Sequence, residues 1–379
     1  MDIGITSRFF YGFFANGLCQ NIVFLYEMLA SAGHNPIFID FCDEKDHAIV
    51  NSELESSFIK NKNIIHYSEL KENIHNLDVV LCPGIACNYD HYIKYKSLNQ
   101  NCKIVSIQYG NTLMTDMCDF ICKEKTEGTW PKPLDIQVYD ESWISPHYKF
   151  QDQFISVNNG CPVKILPYIW DSRFIIEAGR TYGSLSELEY KPSKTKNISV
   201  IEPNLNITKN YLIPLTTIKH LLSKSPDSFE NAFIYGSEEI LSENKTFVYS
   251  KILNDEVFSK HLNKLYFDPR NRMIDIMEND NPLFLSHQHL NALNYAHLEA
   301  LYFNYPLVHN SDFIKEFGYY YNDFNCIDAA EQCIESFERH DDLLNESKIN
   351  NQEIIWKYSP KNMKNIKDTA LLLENLFTN

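Results

Sequence analysis

The sequence predicts an α/β fold of two doubly wound, parallel-sheet domains. Three observations carry this prediction. In the first half, short apolar runs alternate with stretches of helical pattern, the signature of βαβ units. The rhythm stops between Tyr168 and Lys196, where Gly179, Gly183, Ser184, Ser186, Pro192 and Ser193 read as a linker. It restarts at Asn197 and ends in a wholly helical pattern. Runs such as Val79-Val80-Leu81 and Ile104-Val105 show no polar alternation, as expected of strands covered on both faces.

Taken in order, the first domain has expected strands at 2–6, 36–41, 63–66, 78–82, 103–108, 136–139 and 163–166. A turn with Gly12, Asn16 and Gly17 separates the first strand from a helix at 19–32. The second domain has expected strands at 197–201, 232–235, 264–267, 283–286 and 307–309. Its helices fall at 211–222, 245–254, 271–279, 291–303 and 328–339. Pro214 sits in the first turn of one of them, where proline is tolerated. Ser359-Pro360 reads as cap and first position of the last helix. The expected boundaries are 1–185 for the first domain with its linker, 196–350 for the second, and 351–379 for helices returning to the first.

Composition narrows the function. The 379 residues are 44% apolar and 22% charged, which excludes a disordered chain, a collagen and a small disulfide scaffold. The net charge of −16 argues against general polyanion binding, which needs clustered Lys and Arg. None of the ten cysteines forms a Cys-x-x-Cys pair, so they read as reduced, buried thiols of a cytoplasmic protein rather than a zinc site. The stretch after the first strand is interrupted by Asn16, Gln20 and Asn21 and is neither a signal-peptide core nor a membrane span.

The segment 283–310 is the most informative. It reads strand, polar loop, helix, tight turn, strand. Asn291, Asn294 and Tyr295 fall at the expected helix start, where free N–H groups favour a phosphate. Lys209 follows the first strand of the second domain, at a helix start where a cation calls for an anionic partner. His287 stands at a strand end in the second domain and Asp116 a turn beyond the end of the fifth strand, where a general base would face a ligand.

Leu298-Glu299-Ala300 and Tyr305-Pro306-Leu307-Val308 resemble the donor-binding motif of GT-B-fold, GT4-like glycosyltransferases. That resemblance implies that Glu299 binds the nucleotide ribose. The motif's first acidic position is Asn291 here, its loop glycines are Ala292 and Asn294, and its glycine before proline is Asn304. Asparagine is the other residue that tolerates positive φ. The diphosphate clamp implied by the resemblance places Lys209 on its lysine and Asn204 on its arginine; Arg270 or Arg272 would supply the missing guanidinium. The backbone near Gly17 would approach the donor phosphates.

More narrowly, Glu202-Pro203-Asn204-Leu205-Asn206, Ser286-His287-Gln288, Leu293-Asn294-Tyr295, Val308-His309-Asn310 and Gly318-Tyr319-Tyr320-Tyr321 resemble an uncharacterised family of bacterial and phage glycosyltransferase-like proteins. The implied architecture is GT-B-like, with two Rossmann-like domains facing across a cleft, the first for acceptor and the second for donor. The implied reaction moves a sugar from a nucleotide sugar, such as a UDP-sugar, to a hydroxyl of a glycan, a protein or a modified DNA base, with retention. Nucleic acid enters only as such a modified-base acceptor. The nucleotide sugar is a co-substrate, and no metal is required; no Asp-x-Asp occurs. A non-catalytic nucleotide- or glycan-binding module and a nucleotide-sugar epimerase are the alternatives on the same fold.

Overall fold

The computed structural model describes residues 1–9, 17–42, 57–70, 76–84, 88–122, 138–180, 185–204, 207–237, 252 and 254–378. The chain divides into two compact units, Met1–Glu177 with Trp356–Asn379, and Ala178–Ile355.

The first unit runs β1 (Asp2–Ser7), α1 (Gly17–Ser31), β2 (Asn35–Asp40), β3 (Ile64–His66), β4 (Val79–Pro83), α2 (Tyr89–Leu98), β5 (Lys103–Gln108), α3 (Thr112–Cys122), β6 (Glu141–Ile144), α4 (Asp152–Asn159), β7 (Val163–Ile165) and α5 (Arg173–Gly179). Its described strands form a parallel sheet in the order β3-β2-β1-β4-β5-β6-β7. Strand β4 is buried at every position, which explains its unbroken apolar sequence.

The second unit runs β8 (Asn197–Val200), α6 (Leu212–Lys224), β9 (Asn231–Tyr235), α7 (Glu256–Lys260), β10 (Leu265–Asp268), α8 (Met273–Asp280), β11 (Leu283–Leu285), α9 (Tyr295–Tyr302), β12 (Leu307–His309), β13 (Tyr319–Tyr320) and α10 (Cys326–Lys357). Its parallel sheet has the order β10-β9-β8-β11-β12-β13. Ile198, Val200, Ile218, Leu285 and Val308 form its core with Ala329 and Cys333 of α10. The strand order reverses between β8 and β11, and in such sheets ligands bind beyond the carboxyl ends at that reversal. Helix α11 (Met363–Asn375) belongs to the first unit, where it packs on α1 and buries Leu373 completely.

Several elements differ from the sequence reading. The sixth strand is Glu141–Ile144, not 136–139, of which 136 and 137 lie outside the described residues. Glu141 and Ser142 hide it from an apolar scan, yet both are buried, and Glu141 accepts the Trp143 indole N–H at 2.9 Å. The expected linker contains α5. Helix α9 starts at Tyr295 rather than 291, because the Asn294 side chain caps it by accepting from Ala296 N. Helix α10 is continuous through His340, whose ring is buried and donates from Nε2 to Asn304 O. The last helix is capped by Asn362; Ser359 instead accepts from Lys361 N in the preceding turn. The helix at 245–254 falls almost entirely outside the described residues. The eight cysteines whose side chains are described are free thiols, six of them buried. No described helix is long and apolar enough to cross a membrane.

Asn304 behaves as its residue type implies: with φ at 62°, it turns the chain from α9 into β12. Its side chain also accepts from Asn351 Nδ2 at 3.2 Å. Asn304→Ala is expected to lower stability by about 1–2 kcal/mol from backbone conformation alone. Urea unfolding checks this, with Asn304→Gly expected to lose only the side-chain contact.

Candidate functional site

The loops after β8 and β11 meet at the reversal point, and a buried carboxylate joins them. Glu202 is 1% exposed. Its Oε1 accepts from Ser286 Oγ at 2.6 Å and from the His287 backbone N–H at 3.1 Å, and its Oε2 accepts from Gln288 Nε2 at 2.6 Å. Among the described residues no cation reaches it within ion-pair distance. Burial pushes its pKa up to about 7, against the pull of Ser286, Lys209 and the other donors.

Asn204, with φ at 54°, spends its whole amide on the loop. It donates to Glu202 O at 2.8 Å and Gly236 O at 3.1 Å and accepts from Tyr211 N at 2.8 Å. It therefore shapes the loop that presents Lys209, rather than standing free as a guanidinium substitute.

Lys209 lies three residues ahead of α6, outside the helix. Its ammonium has no hydrogen bond or ion pair among the described residues. Burial lowers its pKa, Glu202 raises it, and Arg270 lowers it, so both charges lie close enough to be felt. Arg270 is exposed and likewise unpaired among the described residues. Arg272 is spent, because Nε and Nη2 grip Asp275 at 2.7 and 2.8 Å. Of the two arginines considered, only Arg270 remains available.

The loop after β11 is a network of neutral polar groups. Ser286 Oγ gives its single proton to Glu202, so His297 Nε2, 2.8 Å away, donates to Ser286. Tyr321 Oη donates to Ser286 O at 3.0 Å and so accepts from His287 Nδ1 at 2.9 Å. His287 is 1% exposed, and burial, with His289 nearby, lowers its pKa to about 4. Gln288 accepts from Asn291 Nδ2 at 2.8 Å, and its backbone is held on both sides by the Asn310 amide at 2.9 and 3.0 Å. Asn291 is thus a buried member of the loop, not a helix-start group. His289 N donates to Thr208 O at 2.9 Å, fastening this loop to the Lys209 loop.

Glu299 stands on the second turn of α9, behind the Asn294 cap and Tyr295. Its carboxyl has no partner among the described residues, and burial pushes its pKa up to about 7.

Asn204 and Lys209 follow the carboxyl end of β8, Arg270 that of β10, and His287, Asn291 and Asn294 that of β11, with Tyr295 and Glu299 on the first two turns of α9. Gly17 and Asp116 belong to the first unit. Gly17 opens α1, and its carbonyl accepts from Asn21 Nδ2 at 3.0 Å. Asp116 is partly buried on α3. The stretch 10–16 before Gly17 lies outside the described residues. Among the described residues no three His, Cys, Asp or Glu side chains converge as a metal-binding group. Sequence reasoning missed Glu202, Ser286, Gln288, His297 and Tyr321 as site residues. Their signal was Glu202-Pro203-Asn204 and Ser286-His287-Gln288, short polar runs at strand ends whose pairing shows only in three dimensions.

A family model described as a protein of unknown function, DUF2827, matches residues 5–373. The chain belongs to the DUF2827 family. No curated protein sequence matches this DUF2827 chain. Among solved structures it is similar to the GtfA/B complex (10% identity, TM-score 0.44, covering 80% of this chain and 58% of that one) and to TarM (13%, 0.48, 82% and 57%). It is also similar to the T4 phage β-glucosyltransferase (10%, 0.46, covering 100% of both chains). The DUF2827 chain thus spans less than three fifths of the first two structures it matches.

Raised carboxyl pKa values mean that the folded state binds protons more tightly than the unfolded chain. For Glu202 and Glu299 the stability contribution is fully present below the unfolded value of 4.5 and is lost as pH rises towards about 7. Glu299→Gln removes one of the two contributions. Thermal unfolding of the ligand-free variant is expected to fall less steeply between about pH 5 and 8 than that of the parent. An unchanged slope would mean that Glu299 is already ionised throughout this range in the folded protein, as it is when a cation partners it.

Proposed function

We propose that this DUF2827 chain is a glycosyltransferase whose second unit binds a nucleotide-sugar donor. The observation that supports this most is the pair formed by Lys209, which follows β8 at the sheet's reversal point, and Arg270, which follows the edge strand β10 and is close enough to lower the lysine's pKa; neither has an ion-pair partner among the described residues. Two neighbouring cations without an ion-pair partner are costly unless an anion joins them, and a diphosphate supplies that charge. In this reading Glu299, desolvated and without a partner among the described residues, accepts from the vicinal hydroxyls of a ribose. The bond between the sugar's anomeric carbon and the diphosphate breaks, and its electron pair leaves with the phosphate oxygen. The acceptor hydroxyl oxygen bonds to the anomeric carbon and gives up its proton, in the retaining reading to the departing phosphate. Lys209 and Arg270 stabilise the charge that gathers on the diphosphate, without need of a metal. The first unit takes the acceptor, a hydroxyl on a glycan, a protein or a modified DNA base. His287 stays neutral across the physiological range and serves as a hydrogen-bond acceptor; Asp116 is the candidate base of the first unit.

A second reading, a non-catalytic nucleotide- or glycan-binding module, is favoured by one observation. The amides of Asn204 and Asn291, at the positions where the resemblance expects a charged clamp and a sugar-binding carboxylate, are committed to the protein's own loops.

Lys209→Ala separates the readings. Donor binding, measured by calorimetry, is expected to weaken modestly. Turnover, measured as donor hydrolysis or transfer, is expected to fall by about two orders of magnitude, because the cation matters most when the bond breaks. The melting temperature of the ligand-free variant is expected to hold or rise. A parent protein that binds nucleotide sugars and never turns them over would establish the binding module.

A further inference from the structure

His287 and Phe324 have features that the diphosphate reading does not use. Tyr321 Oη sends its one proton to Ser286 O, so the His287 ring proton sits on Nδ1 and Nε2 carries a bare lone pair. That Nε2 is buried with no partner among the described residues, and the residue as a whole is 1% exposed. A buried acceptor left open is uncommon and calls for a ligand or water donor. Phe324 packs against this imidazole. Its ring centroid is 4.8 Å from that of His287 and 5.2 Å from that of His289, yet the residue is 52% exposed. His289 in turn donates its backbone N–H to Thr208 O, next to Lys209. An exposed apolar ring face and an open neutral acceptor therefore stand together one hydrogen-bonded step from the phosphate-binding cation.

We infer that Phe324 and His287 form a sugar-ring subsite, with Phe324 stacking on the apolar face of a pyranose and His287 Nε2 accepting from one of its hydroxyls. A pyranose offers both features at once: C–H groups on one face and hydroxyls around the rim. The diphosphate bridge of a nucleotide sugar does not fit Nε2, because its ionised oxygens carry no proton to donate to a bare lone pair. The subsite rests on the donor reading for its neighbour, Lys209, but not for its own chemistry. The sugar is either the one carried by the donor or one carried by the acceptor.

The test follows His287 by nitrogen NMR in the full-length chain, with binding measured in parallel by calorimetry. Probes are UDP, UDP-glucose and methyl α-glucopyranoside. The free protein is expected to show a protonated Nδ1 and a bare Nε2. A donor-sugar subsite predicts that UDP-glucose, but not UDP, shifts Nε2. An acceptor-sugar subsite predicts that methyl α-glucopyranoside shifts it in the presence of UDP. In either case Phe324→Ala is expected to cost about tenfold in affinity for the sugar-bearing probe while leaving UDP affinity unchanged, and Phe324→Tyr to restore most of it. Phe324 is half-exposed on a loop, so these variants are expected to fold. UDP binding with Nε2 unmoved by either sugar overturns this subsite and leaves the donor reading standing. A glucoside shift without UDP binding does the reverse. A protein that binds none of the three contradicts both.

Discussion

A carboxylate sealed at the reversal point of a parallel sheet has to be answered by donors, and the geometry of the second unit follows from how Glu202 is answered. Three neutral groups from one loop, the Ser286 hydroxyl, the His287 amide and the Gln288 side chain, do so without any cation. This fastens the end of β8 to the end of β11. It also leaves the negative charge unneutralised by contact, so Lys209 can lie near it without being consumed by it. A direct Lys209–Glu202 ion pair would have closed the site to an anion. The field of Glu202 works against the burial that lowers the lysine's pKa, and the network leaves the ammonium without a contact partner among the described residues.

The same anchoring propagates outward. Ser286 fixes the orientation of His297, and its carbonyl fixes Tyr321, which in turn fixes the proton on His287. Gln288 holds Asn291 and is itself locked by Asn310. Breaking any one member leaves a buried polar group without its partner, which costs more than the bond itself contributes. The network therefore favours a single arrangement of this loop.

Much of the fold was legible because its physics is local. The apolar runs of β4 and β5 are continuous since both faces are covered, and Asn304 could be placed in a turn because few residues tolerate its backbone conformation. Strand β6 was misplaced for the opposite reason: Glu141 and Ser142 are polar, and only their tertiary partners permit burial. The start of α9 was set too early because Asn291 and Asn294 are both plausible caps, and the choice between them depends on Gln288, which takes the Asn291 amide. For the site, Lys209, Arg270 and Glu299 could be named from spacing and resemblance. The Glu202 hub could not, since a lone glutamate before proline gives no hint of three donors arriving from more than eighty residues away.

The central claim is that Lys209 and Arg270 hold the diphosphate of a nucleotide. A crystal structure of the full-length protein grown with UDP tests it most directly. The account predicts the diphosphate within hydrogen-bonding distance of Lys209 Nζ and Arg270, with Glu202 still bound to Ser286, His287 and Gln288. A diphosphate seated elsewhere, or a Lys209 turned into an ion pair with Glu202 while nucleotide is bound, would contradict it.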